Sequence, residues 1–460
     1  MRNTKIGIAI SLPVGILLAI SPASAVSAHE SPARSQVQAA QASQFKASTV
    51  DSEDTCEGVE EKLKKMTQEG NNNGVICHTT KTPPKGSDTE AKQKKASAKL
   101  TSVGPNATPL PDWCKNLEGG EWQYGERRTA CRREKGRRVE IWKLQDGKVI
   151  IEGVIWYIEA NLVVADATNT RQWTIEETLL PYKMEGSAAG ATVSGAAFCN
   201  NSCRAISTDY PKQIMVLDQE ITGWGWFETT VSERWQKEET LTNVFRVHGK
   251  PGYTLDFRMV QGAKIRCDRA VPAQSVRVGC VFPQFAPTMT YQLTGPYPEL
   301  ARHIKMAQES GLPGKPGGAP LHRLTSPVDP AETDYITRNG DTACPNSGAG
   351  WTPRPPGKQC DEYPFRSTVE GAYTAGSYTP DDPATPPTRP YQPRTHNANY
   401  CGSFPSPVYT WDPTWDPDPV GYSVCWIDGK QNTNGGLSLK NKLYSPERVL
   451  EGDAFFVSIQ

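Results

Sequence analysis

Twelve cysteines constrain how this chain of 460 residues can fold more than any other feature, because all of them lie beyond an N-terminal segment built for export. The chain opens Met1-Arg2-Asn3-Thr4-Lys5, stays apolar through Ile20 and then reads Ser21-Pro22-Ala23-Ser24-Ala25. A basic head, a short apolar middle and a small-x-small exit predict a secretory signal over residues 1–25, removed near Ala25 or Ala28. No later stretch has the length and apolar character needed to span a bilayer, so the expected location is secreted and extracellular. In that oxidising setting an even cysteine count reads as a disulfide framework. Order along the chain suggests, without proving, the local pairs Cys56–Cys77, Cys114–Cys131, Cys199–Cys203, Cys267–Cys280, Cys344–Cys360 and Cys401–Cys425. The zinc alternative is weak, since Cys199-x-x-x-Cys203 has no second pair or nearby histidines at ligand spacing.

The chain divides by texture. Residues 26–110 are rich in Ala, Ser, Gln, Lys and Thr, poor in aromatics, and broken by Asn71-Asn72-Asn73 and Pro83-Pro84. Such a stretch buries too little apolar surface to order fully and reads as a spacer or pro-segment. Within it, Glu57 to Met66 has a charged helical pattern that a Cys56–Cys77 bridge would pin. Residues 111–298 change to short apolar alternations. Val139, Ile141 and Lys143 lie opposite Glu140, Trp142 and Leu144, Asp146-Gly147 supplies a hairpin turn, and Val149 to Ile158 returns. Similar runs recur as far as Leu293, which predicts a mostly antiparallel β domain. Its Trp224-Gly225-Trp226-Phe227 cluster reads either as core or as a platform on which flat bases or sugars stack. Residues 299–334, Pro/Gly-rich and without apolar periodicity from Pro313 to Pro330, read as a linker. Residues 335–460 follow as a small α+β domain, so the fold class expected for the whole chain is α+β.

That last segment carries the chemistry. In Gly357-Lys358-Gln359-Cys360-Asp361-Glu362-Tyr363-Pro364-Phe365 two carboxylates stand beside a cysteine and a Tyr-Pro turn, with Glu370 eight residues on. Buried carboxylates are costly unless paired or metal-bound, so the cluster reads as a metal site, an acid–base centre or a solvated turn. Four blocks, in order, resemble the secreted NucA/NucB-type deoxyribonucleases: Cys360-Asp361-Glu362-Tyr363-Pro364-Phe365, Ser367-Thr368-Val369-Glu370-Gly371, Asn432-Thr433-Asn434-Gly435-Gly436, and Arg448 through Val457. The likeness covers about residues 341–374 and 426–460. Three features depart from the family pattern: Arg366 stands at a position usually small, Thr433 follows the Asn where Arg is common, and residues 375–425 form a Pro-rich insertion.

The resemblance implies a nuclease domain of ββα-metal-like type that uses Mg2+ or Mn2+. It implies that Asp361 is the general base where other one-metal nucleases of that type use histidine, that Asn432 is a metal ligand at the start of a helix, and that Glu362 and Glu370 hold the metal, its waters or Asp361. The residue types agree with that chemistry. In-line phosphodiester cleavage needs a base for water, a cation for the phosphate charge and stabilisation of the leaving oxygen. Asp361, Glu362, Glu370 and Asn432 offer the hard oxygen donors that magnesium and manganese prefer. None of the six histidines, His29, His78, His248, His303, His322 and His396, falls in a matching block. Each reads as a surface or structural residue, with His396 in the insertion the one to watch. After Asn432, Leu439 and Leu443 share a helical face that Pro446 ends, and Phe455, Val457 and Ile459 alternate as a half-buried strand.

Formal net charge is zero, so affinity for a polyanion must come from local patches. Arg127, Arg128, Arg132, Arg133, Lys135, Arg137 and Arg138 crowd around Cys131. They form either a solvated hairpin or a sequence-independent phosphate-binding face. Arg132, Arg133, Arg137 and Arg138, with Arg366 beside the catalytic block, are the substrate-binding candidates. The expected function is a secreted, metal-dependent, largely sequence-nonspecific endodeoxyribonuclease acting on extracellular DNA. Two alternatives stand beside it. One is a non-catalytic cell-surface protein with a retired nuclease end and a β domain that binds cell-wall polymer. The other is a secreted toxin nuclease with an immunity protein as partner. That all four polar site positions are filled argues for retained catalysis.

Overall fold

Along the strand Lys148–Ala165 successive side chains point to opposite faces, and both faces are buried from Gly153 to Val163. Val154, Trp156, Ile158, Ala160 and Leu162 enter one core, while Ile155, Tyr157 and Val163 enter cores on the other side. A strand covered on both faces is the structural meaning of its apolar run from Val154 to Ile158. The protein, in a computed structural model, is described over residues 56–168, 170–199, 202–232, 237–248, 253–254, 257–270, 278–326, 334–346, 354–374 and 421–460. The expected signal and nearly all of the insertion lie outside those residues.

One sheet has eight strands. Its path runs Tyr253–Thr254, Gly74–Thr80, Thr129–Gln145, Lys148–Ala165, Gln172–Gly186, Ile221–Thr229 and Cys203–Asp209, with Gly119–Glu126 also paired to Thr129–Gln145. Apart from the short first pair, every ladder in it is antiparallel. The expected hairpin is present. Gln145 pairs with Lys148, and Asp146 and Gly147 have φ of 48° and 75°, the doubly positive turn whose twist matches the strands it joins. A second, five-stranded antiparallel sheet packs on the first: Trp173 and Phe227, stacked 6.1 Å apart, share a core with Ala197, Ile265 and Cys267. The helix Asp88–Lys99 covers the opposite face through Ala96, followed by Leu100. The whole is a mixed α+β protein, mostly antiparallel strands with few helices.

Several expectations change. From Cys56 onward the supposed spacer is part of the fold. The helix Val59–Gln68 is pinned by the Cys56–Cys77 disulfide, and the strand Gly74–Thr80 is buried at six of its seven residues. Composition averaged over 26–110 concealed this, because the helix Asp88–Lys99 buries only Thr89 and Ala96. In the aromatic cluster Phe227 is core, whereas Trp224 is only half-buried and Trp226 is exposed, on the outer face of their strand. Five of the six expected disulfides are formed: Cys56–Cys77, Cys114–Cys131, Cys199–Cys203, Cys267–Cys280 and Cys344–Cys360. Cys425 is also disulfide-bonded, and Cys401, its expected partner, lies outside the described residues. Among the described residues no helix is long and apolar enough to cross a membrane.

The segment 299–334 is more than a linker. The helix Pro298–Glu309 turns Leu300, Ile304 and Ala307 inward, and these join Leu312, Leu321, Cys425, Leu439, Phe455 and Val457 in one core. The i, i+4, i+7 stripe is helical; the Pro/Gly content downstream masks it in a composition scan. The final strand Ala454–Ile459 runs parallel to Thr288–Tyr291 and antiparallel to Leu321–His322, so the chain end is sewn to residues before the supposed boundary. Buried ion pairs add to this. Arg127 and Arg266 both bind Asp453, and Arg448 binds Asp268. Arg448 and Asp453 of the last sequence block are thus tied to the β-rich part, and the described residues fall in one compact unit.

Candidate active site

The Asp361 strand, Lys358–Tyr363, pairs antiparallel with Ser423–Asp428, and the second strand leads directly into the helix Gly429–Leu439. The helix starts there because the Asp428 side chain accepts from the backbone N–H groups of Lys430 and Gln431, both at 3.0 Å, satisfying donors that a helix end leaves open. Asn432 therefore sits in the first turn. Its Nδ2 donates to the carbonyl of Cys360 at 3.0 Å. That bond orients the amide and leaves Oδ1 as the atom available to a cation.

A cleft of about 630 Å³ brings Asp361, Glu362, Arg366 and Asn432 together, with Arg323, Arg354 and Lys440 also in its lining. Four of the expected site residues thus share one space. Glu370 does not. Its carboxylate accepts from the His322 backbone N–H at 2.9 Å and from the His322 ring Nδ1 at 2.7 Å, and this hydrogen bond raises the pKa of that histidine. Glu370 secures the edge strand Leu321–His322 and is not in the lining of the cleft that holds the other candidates.

Asp361 is nearly buried and has a partner that sequence reasoning missed. His303, fully buried on the helix Pro298–Glu309, places Nδ1 2.6 Å from Asp361 Oδ2 and Nε2 2.9 Å from Ser423 Oγ. A carboxylate only accepts, so the Nδ1–H donates to it. The available signal was the position of His303 on the stripe Leu300–Ile304–Ala307, since a polar ring on a buried face needs hydrogen-bond partners. Glu362 is 17% exposed, with Arg366 Nε 3.9 Å away. Burial, reinforced by the charge of Asp361 and opposed by Arg366, pushes its carboxyl up to about 8.

The arginine cluster does not form a phosphate-binding face. Arg132, Arg133 and Arg137 are buried. Arg132 pairs with Glu159 at 2.9 Å and Glu134 at 3.2 Å, Arg137 pairs with Glu134, and Arg133 donates to the carbonyls of Lys115 and Ser97. Arg138 pairs with Glu140 at 3.1 Å and lies over the Trp156 ring. Guanidinium groups buried against Glu134 and Glu159 or backbone carbonyls do not face phosphates in solvent, and the reason is that both faces of their strand are covered, which local arginine density conceals. Arg132→Ser is expected to lower stability by about 3–5 kcal/mol, because it leaves buried Glu134 and Glu159 short of a partner. Denaturant titration measures this. A stable variant whose DNA affinity loses salt dependence would restore the phosphate-binding reading.

Among the described residues, Cys56, Cys77 and Glu140 also lie close enough to hold a metal, but both sulfurs are used by their own disulfide. Fold and site define a disulfide-bonded α+β protein with a cleft lined by two carboxyl groups and four cationic side chains. No protein-family model matches the chain, and no curated protein sequence matches it closely.

Proposed function

We propose that this protein is a secreted, metal-dependent, largely sequence-nonspecific endodeoxyribonuclease of NucA/NucB type, with the two strands and helix around Asp361 and Asn432 as its ββα-metal-like catalytic part. One observation carries the reading: a carboxylate held by a buried histidine, a second carboxyl with a raised pKa and an oriented asparagine amide meet in a single cleft with four cationic side chains in its lining. A carboxyl perturbed by burial and a neighbouring charge, set in a cleft beside oriented oxygen donors, supports a catalytic reading.

Glu362 and Asn432 would hold Mg2+ or Mn2+. The donor set fits, because both cysteines at the cleft, Cys344 and Cys360, are tied in a disulfide and the remaining donors are oxygens. When bound, the ion supplies stabilisation of charge on the phosphate and the leaving oxygen. Asp361 takes the proton of the attacking water as the water oxygen bonds to phosphorus and the P–O3′ bond breaks. The leaving 3′ oxygen takes a proton from solvent. Arg323, Arg354, Arg366 and Lys440 hold flanking phosphates by charge, which reads no sequence.

The direct test is incubation of the oxidised protein with plasmid DNA, with and without Mg2+ or Mn2+. Metal-dependent conversion of supercoiled to open and linear forms supports the reading; intact plasmid with either ion overturns it.

Glu362 makes the metal dependence pH-sensitive. Its folded-state pKa lies above the ordinary 4.5, at about 8, so between those values the folded protein keeps a proton that the unfolded chain releases. Stability of the metal-free protein therefore declines as pH rises through that window. A cation must displace the proton, so Mn2+ binding at pH 7 is expected to release protons and to tighten toward pH 8. Calorimetry in buffers of different ionisation enthalpy reads this, and Glu362→Gln should abolish the release.

A further inference from the structure

We propose that His303 is a positioning residue for the cleavage reaction, holding one oxygen of Asp361 so that the other is presented to water in the cleft. The role rests on the nuclease reading above. Three elements build the contact: the helix Pro298–Glu309 delivers the ring, the strand Lys358–Tyr363 delivers the carboxylate, and Ser423–Asp428 delivers the Ser423 hydroxyl. His303 and Ser423 are both fully buried. Both ring nitrogens are engaged, so His303 exchanges no proton with the cleft and is not itself the base. Nδ1–H donates to the Asp361 carboxylate, and Nε2 makes its hydrogen bond with the Ser423 hydroxyl, so the ring is held from both sides.

Register makes the arrangement rigid. Asp361 pairs with Cys425 and Tyr363 with Ser423 in the same ladder, so the base and the hydroxyl that fixes its partner ride on neighbouring strands. A general base contributes fully only when its oxygen is held close to the productive geometry, roughly within 0.5 Å. A carboxylate without the ring keeps its charge and loses that constraint. The simpler alternative, a satisfied core histidine, predicts a loss of stability and no loss of rate in the folded protein.

The test compares wild type, His303→Ala and His303→Asn in steady-state plasmid cleavage with Mg2+ or Mn2+, well below each melting temperature. Loss of an outer partner of a site residue typically costs about 10–100-fold, and that fall in kcat is expected for His303→Ala, with KM for DNA unchanged. His303→Asn retains an N–H donor toward Asp361 and is expected to recover most of the rate. A wild-type kcat in His303→Ala, or no recovery in His303→Asn, overturns the role. Should His303→Ala fail to fold, Ser423→Ala is the second variant; a severalfold drop in kcat supports the proposal and an unchanged kcat overturns it. The contact has its own readout, a hydrogen-bonded imidazole N–H signal in 15N-histidine spectra of the wild type that disappears in Asp361→Ala. Absence of that signal from the wild type overturns the contact. A wild type that leaves plasmid intact with both ions overturns the nuclease reading and the role with it, whereas a cleaving wild type beside an equally fast His303→Ala overturns the role alone.

Discussion

Asp361→Asn is expected to reduce plasmid cleavage by at least about a hundredfold while leaving the fold intact. A general base contributes about 10²–10⁴-fold, and the amide has no charge with which to take a proton from water. The choice of Asn over Ala matters because of the buried contact. Asp361 Oδ2 is the acceptor for His303 Nδ1, and an alanine would leave that donor unpaired at about 1–3 kcal/mol. Asn keeps an acceptor oxygen of the same shape, so a fall in rate reports chemistry rather than unfolding. Single-turnover cleavage together with a thermal melt makes the check. An unchanged melt with a rate near wild type would remove Asp361 from the reaction and with it the reading of the cleft.

A fragment starting at residue 335 is expected not to fold and not to cleave. That cut falls at the boundary expected from composition and removes Met289, Leu300, Ile304, Leu312 and Leu321 from the core that holds Leu439, Phe455 and Val457. Fully buried side chains of this size contribute roughly 1.5–3 kcal/mol each, so the five together amount to about 7–15 kcal/mol. A whole domain is stable by about 5–15 kcal/mol, and the fragment has no reserve to cover the loss. The cut also removes His303 and both strand partners of Ala454–Ile459. Circular dichroism through a thermal ramp reads the outcome. A cooperative melt accompanied by metal-dependent cleavage from residues 335–460 would show the helix Pro298–Glu309 to be dispensable.

How legible each feature was in the sequence depended on how locally it is encoded. The Asp146-Gly147 hairpin needs only the turn's own backbone preference, and the disulfides described join cysteines next to one another in chain order, at separations of 4 to 21 residues. The final strand was readable from its two-residue period, and Leu439 and Leu443 from their spacing on one face. Asp361, Glu362 and Asn432 stood out as polar groups in short contiguous motifs, and the cleft brings them together. Glu370 stood in the next block, only eight residues beyond Glu362, yet its side chain turns to His322, 48 residues away in the chain. Motif membership reports nearness in sequence; the direction in which a side chain points is set by what packs against it.

The sequence by itself determined the mostly antiparallel β character, the local disulfide framework and the candidate oxygen donors, because turn chemistry, strand period and residue type act over a few positions. The tertiary structure alone decided which charges are buried and what they touch. His303 meets Asp361 across 58 residues, and Arg127 meets Asp453 across 326. A partner that distant leaves no periodic trace, since burial of an ionic group depends on the opposing charge that chain topology delivers to it. For that reason an arginine-rich segment that looks like a DNA-binding face is interior, and a histidine outside every motif stands behind the proposed base.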